Sequence, residues 1–144
     1  PPRSTLFPYT TLFRSFTMTH IDTKYFTPKE AVKTLPLVKS IVKDILRCGN
    51  DLKEISEAND DDFRNNNKIR LLIIEMQKYI EELEELGCSF KDWNFTVGLV
   101  DFPSIIDGEE VLLCWKSDED TIKYYHSEES GFAGRKPIPD IYFY

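Results

Sequence analysis

The sequence contains little of the material from which disulfide and zinc sites are built, with three cysteines and two histidines among 144 residues. Cys48, Cys88 and Cys114 are odd in number, lie far apart and form no Cys-x-x-Cys pair. This pattern excludes a fully paired disulfide framework and lacks the short-range ligand pairs of a zinc motif. We therefore predict reduced cysteines packed as small hydrophobic side chains, no metal, no cofactor and a cytoplasmic location.

Long apolar runs and an excess of positive charge are also missing. No stretch approaches the roughly 18 uninterrupted apolar residues of a transmembrane helix, and 18 Lys and Arg residues stand against 25 Asp and Glu, a net charge of −7. Because an acidic chain repels phosphate backbones at long range, we expect neither a membrane nor a nucleic acid as partner. The 41% hydrophobic and 13% aromatic content suits a chain that buries one globular core.

Residues 1–15 read PPRSTLFPYTTLFRS, which in every codon is the translation of a common short-read sequencing adapter. We interpret this segment as non-native rather than as a basic tail or a targeting signal, because Pro8 and scattered polar residues break any apolar run of signal-peptide type. We expect the native chain to start at Met18 and residues 16–144 to form a single α+β domain.

Two long amphipathic helices are predicted between residues 27 and 86. Thr27 and Glu30 are placed to form a capping box around Pro28, and Pro36 should interrupt the first helix before it restarts and runs to about Ala58. The polar run 59–67 is interpreted as the connection. Gly87 ends the second helix as a C-cap. The apolar positions of that helix recur at three and four steps, at Ile69, Leu72, Met76, Tyr79, Leu83 and Leu86.

The region after Gly87 is rich in aromatic and β-branched residues with closely spaced turn signals, which predicts an antiparallel sheet. The predicted strands span 90–95, 97–102, 110–116 and 121–126, with Asp107-Gly108 as a two-residue turn and 117–120 as a four-residue loop. From residue 127 the chain is expected to wrap back over the sheet. The predicted fold is α+β, an antiparallel hairpin of two long helices packed on one face of a small antiparallel β-meander.

The two loop lengths predict which side chains share a face of the sheet. A two-residue turn pairs Asp101 with Cys114, and a four-residue loop pairs Val111 with His126. Because burying an unpaired carboxylate is costly, Asp101 must lie at an edge, be exposed, or be paired. A slip of one residue would exchange the two faces. The predicted apolar face carries Val100, Phe102, Val111, Leu113, Trp115, Ile122 and Tyr124.

Four short motifs follow the helix start in a fixed order. They are Gly98-Leu99-Val100-Asp101-Phe102-Pro103, Val111-Leu112-Leu113-Cys114-Trp115, Tyr125-His126 and Gly131-Phe132-Ala133-Gly134-Arg135. Together they resemble the signature of DUF2203, a prokaryotic family of unknown function. The resemblance extends from the helix start at Phe26 to Ile138 and leaves out the tail 139–144. It implies a small cytosolic protein and brings no catalytic residue with it.

The candidate site combines a titratable ring with a forked cation. His126 ends a predicted strand, and the two glycines of segment 131–135 let the backbone bend before it presents the Arg135 guanidinium. Such a pair suits a carboxylate or phosphate ligand. The alternative is structural, with Arg135 anchoring the C-terminal segment to Asp101 or Glu128 and His126 capping the sheet edge. The full candidate set is Asp101, Trp115, His126 and Arg135, in which the indole forms a wall.

Two classes of function remain open. The first is a non-catalytic binding or interaction module, in which the helix hairpin mediates self-association and the sheet edge holds a small anionic ligand. The second is a small hydrolase or transferase with His126 as general acid or base, Arg135 as anion clamp and Asp101 orienting the imidazole. The lack of a complete catalytic set favours the first, since Cys114 as a nucleophile has no evident base or oxyanion arrangement.

Overall fold

The structure, a computed structural model, describes residues 23–58 and 67–144. Within these ranges the predicted α+β class is confirmed, with two long helices followed by a sheet of five strands. Each strand pairs antiparallel with its neighbour in chain order. The adapter-like segment, Met18 and nearly all of the predicted connection lie outside the described residues. The elements are α1 (Pro28–Ala58), α2 (Asn67–Leu86), β1 (Ser89–Phe90), β2 (Leu99–Ile106), β3 (Glu109–Lys116), β4 (Tyr124–His126) and β5 (Lys136–Pro137), with 3₁₀ helices at Phe132–Gly134 and Asp140–Phe143.

The start of α1 has the predicted capping box. The backbone N–H of Glu30 donates to Thr27 Oγ1 at 3.0 Å, and the N–H of Thr27 donates to Glu30 Oε1 at 2.9 Å. Each side chain thus satisfies a backbone donor that has no partner within the helix. Pro28 occupies the first helical position, where its missing N–H costs nothing.

The predicted interruption at Pro36 is wrong, because α1 continues through it. Pro36 is exposed, whereas Leu35 and Val38 beside it are buried on the stripe that faces the core. Burial of that stripe outweighs the single helical hydrogen bond that proline cannot donate. Tertiary packing therefore overrides the local preference.

The end of α2 is set by Gly87, as predicted. Gly87 has a φ of 101°, and its N–H donates to the carbonyl of Glu84 at 3.0 Å, while the N–H of Cys88 donates to that of Leu83. These bonds satisfy carbonyls that the helix leaves without partners. The chain then passes directly into β1.

The turn between β2 and β3 confirms the predicted hairpin. Asp107 and Gly108 have positive φ values of 52° and 82°, which match the right-handed twist of the strands they join. Asp101 consequently pairs with Cys114 and Phe102 pairs with Leu113, in the predicted register.

The predicted register between β3 and β4 is wrong by one residue. His126 pairs with Leu112 rather than with Val111. The longer loop is held by Glu119, whose N–H donates to the carbonyl of Lys116 and whose Oε1 accepts from the N–H of Lys116, both at 2.9 Å. Because successive side chains alternate between faces, His126 moves to the face that carries Asp101.

The first predicted strand is shorter than expected because Asp92 folds the chain into a turn. Asp92 Oδ1 accepts from the N–H of Asn94, and Oδ2 accepts from the N–H groups of Thr96 and Val97. Phe95 adopts a φ of 59° in this turn and is buried. A side chain that satisfies three backbone donors competes directly with strand pairing.

The helices and one face of the sheet share a hydrophobic cluster. Trp115 and Phe102 from that face are 2% and 0% exposed. The opposite face, called the outer face below, is not simply solvated, because the chain beyond residue 126 returns across it and β5 pairs with β4. The outer face carries Asp101, Cys114, Tyr124 and His126, the register positions that alternate with Phe102, Leu113 and Tyr125.

Candidate functional site

Three of the four candidate residues lie on the outer face. Asp101 is the third residue of β2, His126 is at the end of β4, and Arg135 is just before β5. Asp101 contacts His126, whereas Arg135 contacts Cys114. Gly131, with a φ of 62°, allows the sharp change of direction after β4. The convergence depends on the register of β4, since the predicted register put His126 on the opposite face from Asp101.

Trp115 does not join these residues. It lies in the core on the other face of the sheet, and its indole N–H donates to the backbone carbonyl of Glu119 at 2.9 Å. The indole therefore fixes the loop between β3 and β4 and is no wall of the outer-face site.

Asp101 and His126 form a buried pair. His126 Nε2 lies 3.3 Å from Asp101 Oδ1, and the two residues are 4% and 5% exposed. Burial raises the pKa of Asp101, and the nearby His126 and Lys91 only partly offset that effect. The carboxylate is thus paired, one of the three situations that its sequence position allowed.

Cys114 completes what we call the polar cluster, defined as Asp101, Cys114 and His126. One potential ligand atom from each residue, a carboxylate oxygen, the thiol sulfur and a ring nitrogen, lie within 4.8 Å of one another. Burial raises the pKa of the Cys114 thiol to about 11, and the charge of Asp101 adds to the rise. Sequence reasoning left Cys114 out of the site, although the predicted pairing with Asp101 was the signal that could have included it.

Arg135 is held by Glu119 in a two-pronged ion pair. Nη2 donates to Glu119 Oε2 at 2.6 Å and Nη1 donates to Oε1 at 3.2 Å. The guanidinium also lies over the rings of Tyr124 and Phe132, at 4.2 and 4.5 Å from their centroids. Its contact with the polar cluster is through Cys114 Sγ, 3.8 Å from Nη1. Glu119 had no sequence signal, because the predicted loop was one residue too short to bring it there.

The family model of DUF2203, an uncharacterized conserved protein, matches residues 24–138. The chain belongs to DUF2203. The matched range confirms the resemblance over residues 26–138 and the exclusion of the tail. No curated protein and no solved structure gives a significant match.

The DUF2203 match contains the polar cluster and the Arg135–Glu119 pair in full. The match ends before the last 3₁₀ helix, Asp140–Phe143. In that helix the Tyr142 hydroxyl accepts a hydrogen bond of 2.9 Å from the N–H of Asp107, in the turn between β2 and β3. Among the helices of residues 23–58 and 67–144, none has the length and apolar content needed to cross a membrane.

The donor and acceptor atoms of His126 and Cys114 on the outer face have partners within the protein. His126 Nδ1 is 2.7 Å from the carbonyl oxygen of Ser127, which can only accept, so this nitrogen donates. The other ring nitrogen faces Asp101. Both nitrogens are therefore engaged within the protein, and the Cys114 sulfur, with its raised pKa, is held as a thiol at neutral pH.

Proposed function

We propose that this DUF2203 protein is a non-catalytic binding module that takes a small anionic ligand at Arg135 on the outer face of the sheet. The observation that carries the proposal is the two-pronged bond between the Arg135 guanidinium and the Glu119 carboxylate. A planar fork of this kind matches a carboxylate or phosphate group. Glu119 occupies the position that an external anion would take, so ligand binding is an exchange.

The aromatic rings around Arg135 support this proposal. Tyr124 and Phe132 lie against the guanidinium, which favours the cation and restricts its orientation. A restricted guanidinium loses little conformational freedom when an anion replaces Glu119. Phe132 is 45% exposed, and its 3₁₀ turn forms the part of this site nearest to solvent.

The hydrolase or transferase alternative has weaker support. It needs His126 to exchange a proton with a substrate, yet its Nδ1 is committed to Ser127 and its Nε2 faces Asp101. Its anion clamp, Arg135, is held by Glu119 and would require the same exchange as the binding module does. The contact between Asp101 and His126 is the single element of the alternative that the geometry favours.

The proposal is tested by calorimetric titration of inorganic phosphate and citrate into the full chain and three variants. E119Q keeps an acceptor for Lys116 but removes the competing charge, so we expect about tenfold tighter anion binding, or about 1.4 kcal/mol. R135Q should abolish binding. K136Q, at an exposed neighbouring position, should bind as the wild type does.

Thermal unfolding of each variant verifies that it is folded. If E119Q and wild type bind no anion at millimolar concentration, or if R135Q binds as well as K136Q, the anion site is wrong.

A second part of the proposal concerns the helices. We propose that α1 and α2 form an antiparallel hairpin over the apolar face of the sheet and that the hairpin also mediates self-association. The hydrogen bond from Arg47 on α1 to Glu75 on α2, at 2.8 Å, supports the pairing of the helices. Leu71 and Ile74, three residues apart on α2, are 66% and 51% exposed and supply an apolar surface for a second copy.

We also propose a cytoplasmic location. Cys48, Cys88 and Cys114 are all free and buried, which is what a reducing compartment maintains.

A further inference from the structure

The polar cluster brings the Asp101 carboxyl and a ring nitrogen of His126 together in a site that is almost fully buried. His126 Nδ1 donates to the carbonyl oxygen of Ser127, so when the ring is neutral its Nε2 carries a lone pair. In that state two acceptors, Nε2 and Asp101 Oδ1, lie 3.3 Å apart. Two acceptors at this distance need something positive between or beside them, either a shared proton or a cation.

The third member of the cluster favours a cation. Cys114 is the direct cross-strand partner of Asp101, and His126 is the partner of Leu112, two residues along the same strand. Directly opposite and diagonal positions on one sheet face bring side chains within contact. Three strands therefore hold an oxygen, a sulfur and a nitrogen within 4.8 Å of one another, on rigid elements and not on loops.

We propose that Asp101, Cys114 and His126 bind one divalent transition-metal ion, and that Zn²⁺ fits the three donors best. This goes beyond the proposed function and uses different side chains from the anion site. Tetrahedral zinc holds O, N and S donors at about 2.0 to 2.3 Å, which sets the donor atoms about 3 to 4 Å apart. The cluster needs only small side-chain movements to reach that spacing.

The charges and the donor types agree with this assignment. One carboxylate and one thiolate would neutralise a divalent ion, so the filled site would hold no net buried charge. A mixed set of hard, borderline and soft donors suits zinc better than magnesium or calcium, which select oxygen. Three protein donors leave one position for water or another ligand, the pattern of zinc sites with an open coordination position.

The surrounding contacts are those that metal sites use to orient their ligands. Ser127 fixes the His126 ring through Nδ1, which directs Nε2 toward the other two donors. The Arg135 N–H donates to Cys114 Sγ at 3.8 Å and would stabilise a metal-bound thiolate.

The test begins with the full chain freed of metal by a chelator and then titrated with Zn²⁺ and with Co²⁺. We expect one ion per chain and, with Co²⁺, a thiolate-to-metal charge-transfer band that Zn²⁺ abolishes by displacement. C114S should lose that band. D101N and H126Q each remove a ligand and should weaken binding by at least the about 10- to 100-fold that loss of a ligand's supporting hydrogen bond costs. C48A removes a buried thiol elsewhere and should leave the band unchanged.

The wild-type spectrum keeps the test decisive if a variant fails to fold. Co²⁺ binding without a thiolate band, a band that survives in C114S, or no binding of either ion overturns the metal site. The phosphate titration is run in chelator with R135Q and E119Q, so a failed anion site and a failed metal site are distinguished.

Discussion

The effect of Gly49 on stability depends on its contact with a residue that is distant in the sequence. From the sequence it is a weak point in α1, because glycine costs about 1 kcal/mol relative to alanine in a helix. In the structure it is buried, and a Cβ added there would overlap the ring of Phe95. The missing side chain makes room for the aromatic ring that the Asp92 turn projects against the helix.

We predict that G49A destabilises the protein in spite of the better helix propensity of alanine. Overpacking against Phe95 should cost about 1 to 3 kcal/mol. In an F95A background the same change should be stabilising, by up to about 1 kcal/mol, because the ring is gone. Chemical denaturation of the four proteins measures the coupling. Equal effects of G49A in both backgrounds would contradict the contact.

Asp92 sets the pH dependence of the turn that carries Phe95. Burial alone would raise the pKa of Asp92, but hydrogen bonds from the N–H groups of Val97, Thr96 and Asn94 and from the Thr96 hydroxyl outweigh it and hold the pKa below its ordinary value. A carboxylate with a lowered pKa in the folded state stabilises that state above its unfolded pKa of about 3.9. The contribution is lost as the pH falls through the folded-state value.

We therefore predict that D92N lowers the thermal midpoint at pH 7 by several degrees, for a loss of about 1 kcal/mol. As the pH falls below the unfolded pKa of about 3.9, the difference from wild type should shrink, because the unfolded wild-type chain then gains a proton that the folded carboxylate resists. Scanning calorimetry at pH 7 and pH 3 measures both values, with D140N at an exposed position as the control. A difference in thermal midpoint between wild type and D92N that is larger at pH 3 than at pH 7 would contradict this prediction.

At the scale of elements, α1 continues through Pro36, although helix preferences predict that a proline at this position interrupts the helix. Because Pro36 is exposed and the helix is continuous, replacing it should restore a hydrogen bond without disturbing the core.

We predict that P36A stabilises the protein by about 1 to 3 kcal/mol in urea denaturation. The loss of proline's restriction on the unfolded chain reduces the gain. P28A is the matched control, since proline fits the first helical position and its removal should bring no gain. A P36A protein less stable than wild type would show that the proline serves the fold.

The elements that could be predicted from the sequence are those governed by local chemistry. The capping box at Thr27, the Gly87 C-cap and the Asp107-Gly108 turn each require particular residues at fixed offsets, and all three are present. The strand after Phe90 and the β4 register could not be predicted, because side chains of Asp92 and Glu119 replace backbone pairing there. Such competition depends on contacts that periodicity does not record.

At the scale of the whole molecule, the site was partly predictable. The β2–β3 register already joined Asp101 to Cys114, and the bend before Arg135 follows from the glycines of its segment. The partners of Arg135 and the sheet face on which His126 lies could be predicted only with the true length of the loop after β3. Family membership was evident from ordered motifs, and the match over residues 24–138 confirmed it.

The exposed pair on α2 gives a prediction for the assembly. We expect the wild-type chain to sediment as a dimer at tens of micromolar concentration, a level at which weak isologous contacts form. The double variant L71K/I74K should be a monomer, because two charges would be buried in the contact. L37K, at a leucine of α1 that is about as exposed as Ile74, should remain dimeric. A wild-type monomer at millimolar concentration would contradict the proposal.

The number of residues in the loop between β3 and β4 decides which side chains of β4 lie on the outer face. Because facing alternates along a strand, inserting or deleting one residue between Lys116 and Tyr124 would reverse β4, turning Tyr125 outward and His126 into the core. A change of two residues would restore the original facing. A length change that shifts the pairing of β4 should thus act by parity: an even shift keeps Asp101, Cys114 and His126 on one face, and an odd shift separates them.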